Sequence, residues 1–229
     1  MNGSMLWMFA LCAGAWLATL GWGEVRPGGV VKLPRPAFDG TVSVQRAIKE
    51  RRTAREFRPT PLDMAQLSQL LWAAQGITDE ATGYRAAPSG GALYPLDVYV
   101  VVGEKGVETL ASGAYWYHPS GHTIELVRDG DRRQDLSSAA LGQMWMTHAP
   151  VCFVVTAEYR RITGKYGERG IRYAHFEAGH VAENIVLQAG GLGLGAGIVG
   201  AFSDASVAKA VKTAQGHEPL LIIPVGYKK

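Results

Sequence analysis

Residues 88–101 read PSGGALYPLDVYVV. Pro88 and Pro95 stiffen this stretch, while Gly90 and Gly91 let its backbone approach a ligand face. It leads straight into DVYVVVG at 97–103, whose β-branched and apolar residues predict a buried strand. A ligand-facing loop joined directly to a core strand is therefore the first organising feature of the chain.

Working outward toward the C terminus, AYWYH, PSG and HTIELV predict a hairpin with its turn at Pro119 to Gly121. Residues 131–142 read as helical, and APVCFVVTAEY reads as a second buried strand. The best candidate for a long helix is 172–190, where Phe176, Val181, Ile185 and Leu187 lie among Ala and Gly residues that permit close packing, as a buried central helix requires. A glycine-rich strand or turn, a short helix at 204–213 and a final strand, PLLIIPVGY, complete this half.

Toward the N terminus, Thr41 or Ser43 caps a helix with Val44, Ala47 and Ile48 on one face, ending near Arg51. Thr60, Pro61 and Asp63 supply cap, first-turn proline and first-turn acid for a second helix, with Met64, Leu67, Leu71 and Ala74 on one face and Gly76 closing it. Helices and strands are mixed without regular βαβ alternation, which favours an α+β fold.

The length of 229 residues, 47% of them hydrophobic, supports one substantial core, and 41–229 is taken as one domain after a Pro/Gly-rich linker at 24–40. The net charge of +3 is spread without a long basic stripe, so no nucleic-acid partner is expected and small anionic ligands fit better. Residues 1–23 carry no Asp, Glu, Lys or Arg. The apolar run at 5–21 has the length of a signal-peptide core or short membrane anchor, so the expectation is an exported or membrane-anchored protein, and a cytoplasmic one if this leader is not functional. Cys12 lacks a good lipobox before it. With the leader removed, Cys152 is the one thiol left, so no internal disulfide forms, and VCFVVT makes it a core thiol.

Four further motifs carry candidate chemistry. Gly195 to Gly200 matches G-x-G-x-x-G, but the required strand before and helix after are missing, so tight backbone packing or close approach to a flat ligand replaces the dinucleotide reading. Glu177 and His180 have the i, i+3 spacing of a di-iron helix without a second E-x-x-H, which leaves a solvated or core-satisfied pair and no metal site. ERRTAREF at 50–57 places Arg51, Arg52, Thr53 and Arg55 at a helix end, where they form either a solvated basic terminus or a phosphate clamp. GKYGERG at 164–170 sets Lys165 and Tyr166 on a glycine-rich loop before the long helix, where spacing alone favours surface residues.

Taken together and in this order, RRTAREF, PSGGALYP and KYGERGIRYAHFEAGHVAENIVLQAGGLGLG resemble the nitroreductase superfamily, over about residues 42 to 227. The last two resemble in particular the branch containing thiazoline and oxazoline dehydrogenases of peptide natural-product pathways. The resemblance implies a homodimer with a central antiparallel-rich mixed sheet flanked by helices, and FMN at the dimer interface. It implies that Arg51, Arg52, Thr53 and Arg55 hold the FMN phosphate and ribityl end. Pro88, Ser89, Gly90 and Gly91 would line the isoalloxazine, from the partner subunit, with Ile198, Val199 and Gly200 along its other side. Lys228 and Lys229 are the candidates for the basic residues that many relatives place by the phosphate.

Lys165 and Tyr166 match the Lys-Tyr pair of the azoline-oxidising relatives, which implies a proton-abstracting role beside the flavin on a small-molecule or peptide-heterocycle substrate; a neighbouring ammonium favours a phenolate. Two departures count against a single reading. The Asn and Gln common in ordinary nitroreductases are missing around Ala92 to Tyr94, and a hydrophobic leader is unusual for a peptide-tailoring enzyme. An NAD(P)H-dependent nitro- or quinone reductase is the alternative, and a non-catalytic flavin-binding or membrane-tethered protein a further one.

Overall fold

The computed structural model describes residues 26–229; the leader at 1–23 and the start of the linker lie outside them. Along the chain run β1 (Val30–Lys32), α1 (Val44–Glu50), α2 (Met64–Gln75), β2 (Ile77–Asp79), β3 (Tyr84–Arg85), β4 (Leu96–Val102), β5 (Gly113–His118), β6 (Thr123–Asp129) and α3 (Arg133–Ala139). There follow β7 (Val151–Ala157), α4 (Arg160–Tyr166), α5 (Arg169–Gly191), β8 (Gly195–Ala196), α6 (Asp204–Val211) and β9 (Glu218–Gly226). Seven strands form one sheet in the order β1-β6-β5-β4-β7-β9-β8, and every strand pair in it is antiparallel. Parallel pairing among the described residues is confined to the isolated bridges Thr53–Ala196 and Leu62–Val107. The expected α+β architecture is present.

Strand periodicity explains why the central strands are apolar without a break. On β4, Val98, Val100 and Val102 face one core with α2 and α5, while Tyr99 and Val101 face a second with α3 and α6. On β7, Phe153 and Val155 join the first core, Cys152 and Val154 the second. An antiparallel sheet covered on both faces needs such runs, since neither face meets water. Burial pushes the Cys152 thiol up to about 12, so it stays a protonated core group.

Ser43 caps α1 as expected, accepting from Arg46 N. The cap of α2 is Asp63 rather than Thr60: Asp63 Oδ1 accepts from Gln66 N at 2.7 Å, and Gln66 Oε1 returns a bond to Asp63 N at 3.1 Å. This reciprocal box satisfies two otherwise orphaned donors. The stretch read as a linker is in part structural. β1 pairs with β6, Leu33 is buried, Ser68 Oγ donates to Pro34 O at 2.6 Å, and Ala37 N donates to Gln69 Oε1 at 2.8 Å.

α5 is the long central helix, and its buried side carries Ala174, Glu177, Ala178, Val181, Ala182, Ile185, Val186 and Ala189. Their three- and four-residue spacing follows the helical period, with small residues letting α2 come close. Phe176, expected in this face, is 56% exposed, because its neighbour Glu177 occupies the inward phase.

Candidate active site

The site forms where the PSGGALYP loop meets α4 and α5. Gly90 N donates to Glu177 Oε1 at 2.8 Å, across 87 residues of sequence. Gly91 has φ of +64°, and a Cβ placed there would lie 2.8 Å from Tyr166 Oη and 2.9 Å from Lys165 Nζ. Lys165 and Tyr166 thus converge on the glycine pair that the sequence singles out for close approach. They stand at the end of α4, not on a loop, and Gly167, at φ of +55° and ψ of −148°, a conformation open chiefly to glycine, ends the helix.

Ala92 and Tyr94 also have positive φ, +54° and +46°. For residues with a Cβ this conformation costs about 1–2 kcal/mol each, and several contacts hold it in place. Tyr94 N donates to Ser89 Oγ at 2.9 Å, Tyr94 Oη accepts from Arg85 N at 3.1 Å, and the Arg85 guanidinium lies 4.4 Å from the Tyr94 ring. Arg161 of α4 donates to Tyr94 O at 3.3 Å and pairs with Asp97 at 2.7 Å and Glu158 at 2.8 Å. One guanidinium therefore ties the strained loop, the start of β4 and the helix bearing Lys165 and Tyr166 together. Strain kept in place by this many partners is characteristic of functional loops.

Glu177 is the group that sequence reasoning missed. It is 4% exposed, and its Oε2 is enclosed with no hydrogen-bond partner among the described residues. Burial raises its pKa above the usual carboxylate value, opposed by the Gly90 N–H. His180, its partner in the E-x-x-H spacing, is exposed, so the two do not form a site. Tyr173 was missed as well: its ring stands edge-on to Tyr166 at 5.2 Å between centroids and lies against Gly90.

A second group of candidate residues lies further along α5. Arg51 and Arg52, at the exposed end of α1, share a small cleft with Gly195, Ala196 and Lys228. Arg51 Nε is 4.0 Å from Glu183 Oε1 on α5, and Arg52 folds back onto Lys49 O and Arg51 O at 3.1 and 2.7 Å. Thr53 is bridged to Ala196, and Ala54 N donates to Ala196 O at 2.9 Å, which fixes the basic segment against β8. A Cβ on Gly195 would sit 2.5 Å from Lys228 Cγ and 2.7 Å from Ala54 Cβ, so only glycine leaves this cleft open. Arg55, Lys229 and Pro88 are exposed. Ile198 is 45% exposed beside this region, whereas Val199 is buried and its N and O both pair with Ile222, leaving the Val199 side chain to the core. Gly200 is exposed.

Glu177 and Glu183 mark the two groups, six residues apart on α5, a separation of roughly 9 Å along the axis. The cleft brings Arg51, Arg52 and Lys228 together, with Glu50 and Glu183 beside them, a net positive set suited to a phosphate, and a phenol and an ammonium stand together at Gly91.

The sequence pattern of the Nitroreductase family matches residues 48–227. A provisionally named nitroreductase of Methanocaldococcus jannaschii is 42% identical over 201 residues, covering 88% of this chain and 98% of the relative. Among solved structures, a provisionally named nitroreductase of Ralstonia eutropha JMP134 superposes with a TM-score of 0.78 at 30% identity, covering 90% of this chain and 92% of the other. A chain of the Escherichia coli microcin synthetase complex McbBCD, with truncated pro-MccB17 bound, superposes with a TM-score of 0.70 at 26% identity, covering 97% of this chain and 85% of that one.

Proposed function

This chain belongs to the nitroreductase family, and on that footing we propose that it is an FMN-dependent dehydrogenase of the azoline-oxidising kind, with Tyr166 as its base. The observation that carries the reading is the convergence of Tyr166 Oη and Lys165 Nζ on Gly91. Likeness to a chain of the microcin synthetase complex, which has truncated pro-MccB17 bound, supports a peptide as the carrier of the substrate.

The residues present suit FMN. Arg51, Arg52 and Lys228 would hold the phosphate, and Gly195 keeps their cleft open. Gly90 and Gly91 would lie along the ring system. When bound, FMN supplies the two-electron acceptor that no side chain of this protein can provide. The protein's own part is proton handling and position: Tyr166 Oη takes the proton from the substrate C–H, with the Lys165 amino group 5.4 Å from the Tyr166 ring centroid beside it. Glu177 fixes the Gly90 peptide, and Arg161 holds α4 against the loop.

We further propose a homodimer as the functional unit. None of the α1 residues is buried, Val44 and Ile48 are 66% and 57% exposed, and Phe176 stands out from α5. These apolar groups suit an interface between two copies.

The test is anaerobic bleaching of the bound FMN by a thiazoline- or oxazoline-containing peptide. Tyr166→Phe should keep its FMN and lose about 10²- to 10⁴-fold in bleaching rate, the range for removal of a positioned base. The M. jannaschii relative favours a second reading, an NAD(P)H-dependent nitro- or quinone reductase. Fast bleaching by NADH or NADPH, indifferent to Tyr166→Phe, would replace the first reading with the second. A flavin that retains its colour with every donor would instead indicate a binding protein without turnover.

A further inference from the structure

Between Glu158 and Arg172 the chain carries five cations against two carboxylates. Arg161 is engaged with Asp97 and Glu158, and Arg160 points toward the turn at Gly216. Lys165, Arg169 and Arg172 are exposed and have no ion-pair partner among the described residues, with Glu168 the one carboxylate of this stretch left beside them. Lys165 and Arg169 flank the aromatic pair of the active site, and Arg172 follows Arg169 three residues along α5. Lys165 Nζ lies 5.4 Å from the Tyr166 ring centroid, and the Arg169 guanidinium 5.7 Å from that of Tyr173.

No carboxylate among the described residues pairs with Arg169 or Arg172. Both lie in the opening residues of α5, whose first turn holds no acidic residue, so they sit at the positive end of the helix dipole. They are also three residues apart, a spacing at which like charges on a helix repel. Arg169, beside Tyr173, and Arg172, three residues on, are thus two cations without a carboxylate partner where helix stability disfavours them.

We propose that the heterocycle presented to Tyr166 is carried by an acidic peptide, whose carboxylates near the ring engage Arg169 and Arg172. This rests on the reading of Tyr166 as the base of an azoline dehydrogenase. Planar guanidinium forks suit carboxylates, and the rings of Tyr166 and Tyr173 offer apolar faces to the backbone and ring between those contacts.

The probes are three thiazoline-containing peptides of one length, with the ring flanked by Asp and Glu, by Ser and Gly, or by Lys. Their binding to the FMN-loaded full chain is followed by quenching of flavin emission, and their oxidation by bleaching, so the two are scored separately. The acidic peptide should bind about tenfold more tightly than the neutral one at low salt and the basic peptide most weakly, with the differences collapsing near 0.5 M salt, where charges are screened within a few ångströms. In Arg169→Glu/Arg172→Glu the ratio of neutral to acidic dissociation constants should fall to one or below. Should that variant misfold, the salt dependence of the unmodified protein decides alone. Equal binding of the three peptides, preference for the basic one, or a double variant that weakens NADPH binding and leaves the peptide ratio intact would each overturn the acidic-peptide assignment. Preferential binding without any oxidation would uphold it and sink the dehydrogenase reading instead.

Discussion

A carboxyl whose Oε1 takes the Gly90 N–H while Oε2 is enclosed without a partner among the described residues is held away from its charged form. Burial raises the pKa of Glu177 above its ordinary 4.5, so its contribution to stability is fully present below the unfolded-state value and is lost as pH rises through the folded-state value. Glu177→Gln keeps an acceptor for Gly90 and removes the titration. The variant should therefore gain in melting temperature relative to the unmodified protein as pH is raised from about 4 to about 8. A gap that does not change with pH would show that Glu177 ionises freely. In sequence this residue reads only as half of an E-x-x-H pair. Helical phase turns 177 inward and 180 outward, but its real partner is a loop peptide 87 residues away, which no local pattern reveals.

At the level of elements, what could be read was what local chemistry dictates. β4 and β7 announce themselves by unbroken β-branched runs, the β5–β6 hairpin by its Pro-Ser-Gly turn, and α5 by its small-residue face. α4 was not legible, because Gly164 and Gly167 make TGKYGERG look like a loop, and it is packing against α5 that makes a helix of Arg160–Tyr166. The cleft beside β8 was legible as a set of motifs but not as a place: Arg51, Arg52 and Lys228 meet only because Thr53 and β9 both pair at Ala196. Gly195→Ala tests that meeting point. Its Cβ must displace Lys228 or Ala54, so FMN retention should weaken by about 1.5–3 kcal/mol, the scale of one lost hydrogen bond to a charged group. Dissociated FMN is measured by its fluorescence on dilution; retention equal to that of the unmodified protein would remove Lys228 from the phosphate site.

For the whole molecule, the open question is how many copies make a site. α1 holds two exposed branched side chains on a helix with no fully buried residue among those described, and it ends at Arg51 in the basic cleft. If a second copy covers this face, assembly and FMN retention are linked by mass action. Ile48→Asp should then convert a sedimenting dimer to monomer at micromolar concentration and loosen FMN together with it. A variant that stays dimeric and yellow places the interface elsewhere.

α5 carries a constraint of phase as well as of distance. Each residue turns the helix by 100°, so one residue inserted between Glu177 and Glu183 would rotate everything beyond it by more than a quarter turn while lengthening it by about 1.5 Å. Glu183 would leave Arg51 and the inward series from Ile185 would turn toward water, although no residue that touches a ligand had been altered. Over this span the chain therefore tolerates changes of residue type far more readily than changes of residue number, and insertions and deletions among functional relatives should fall outside residues 177–183.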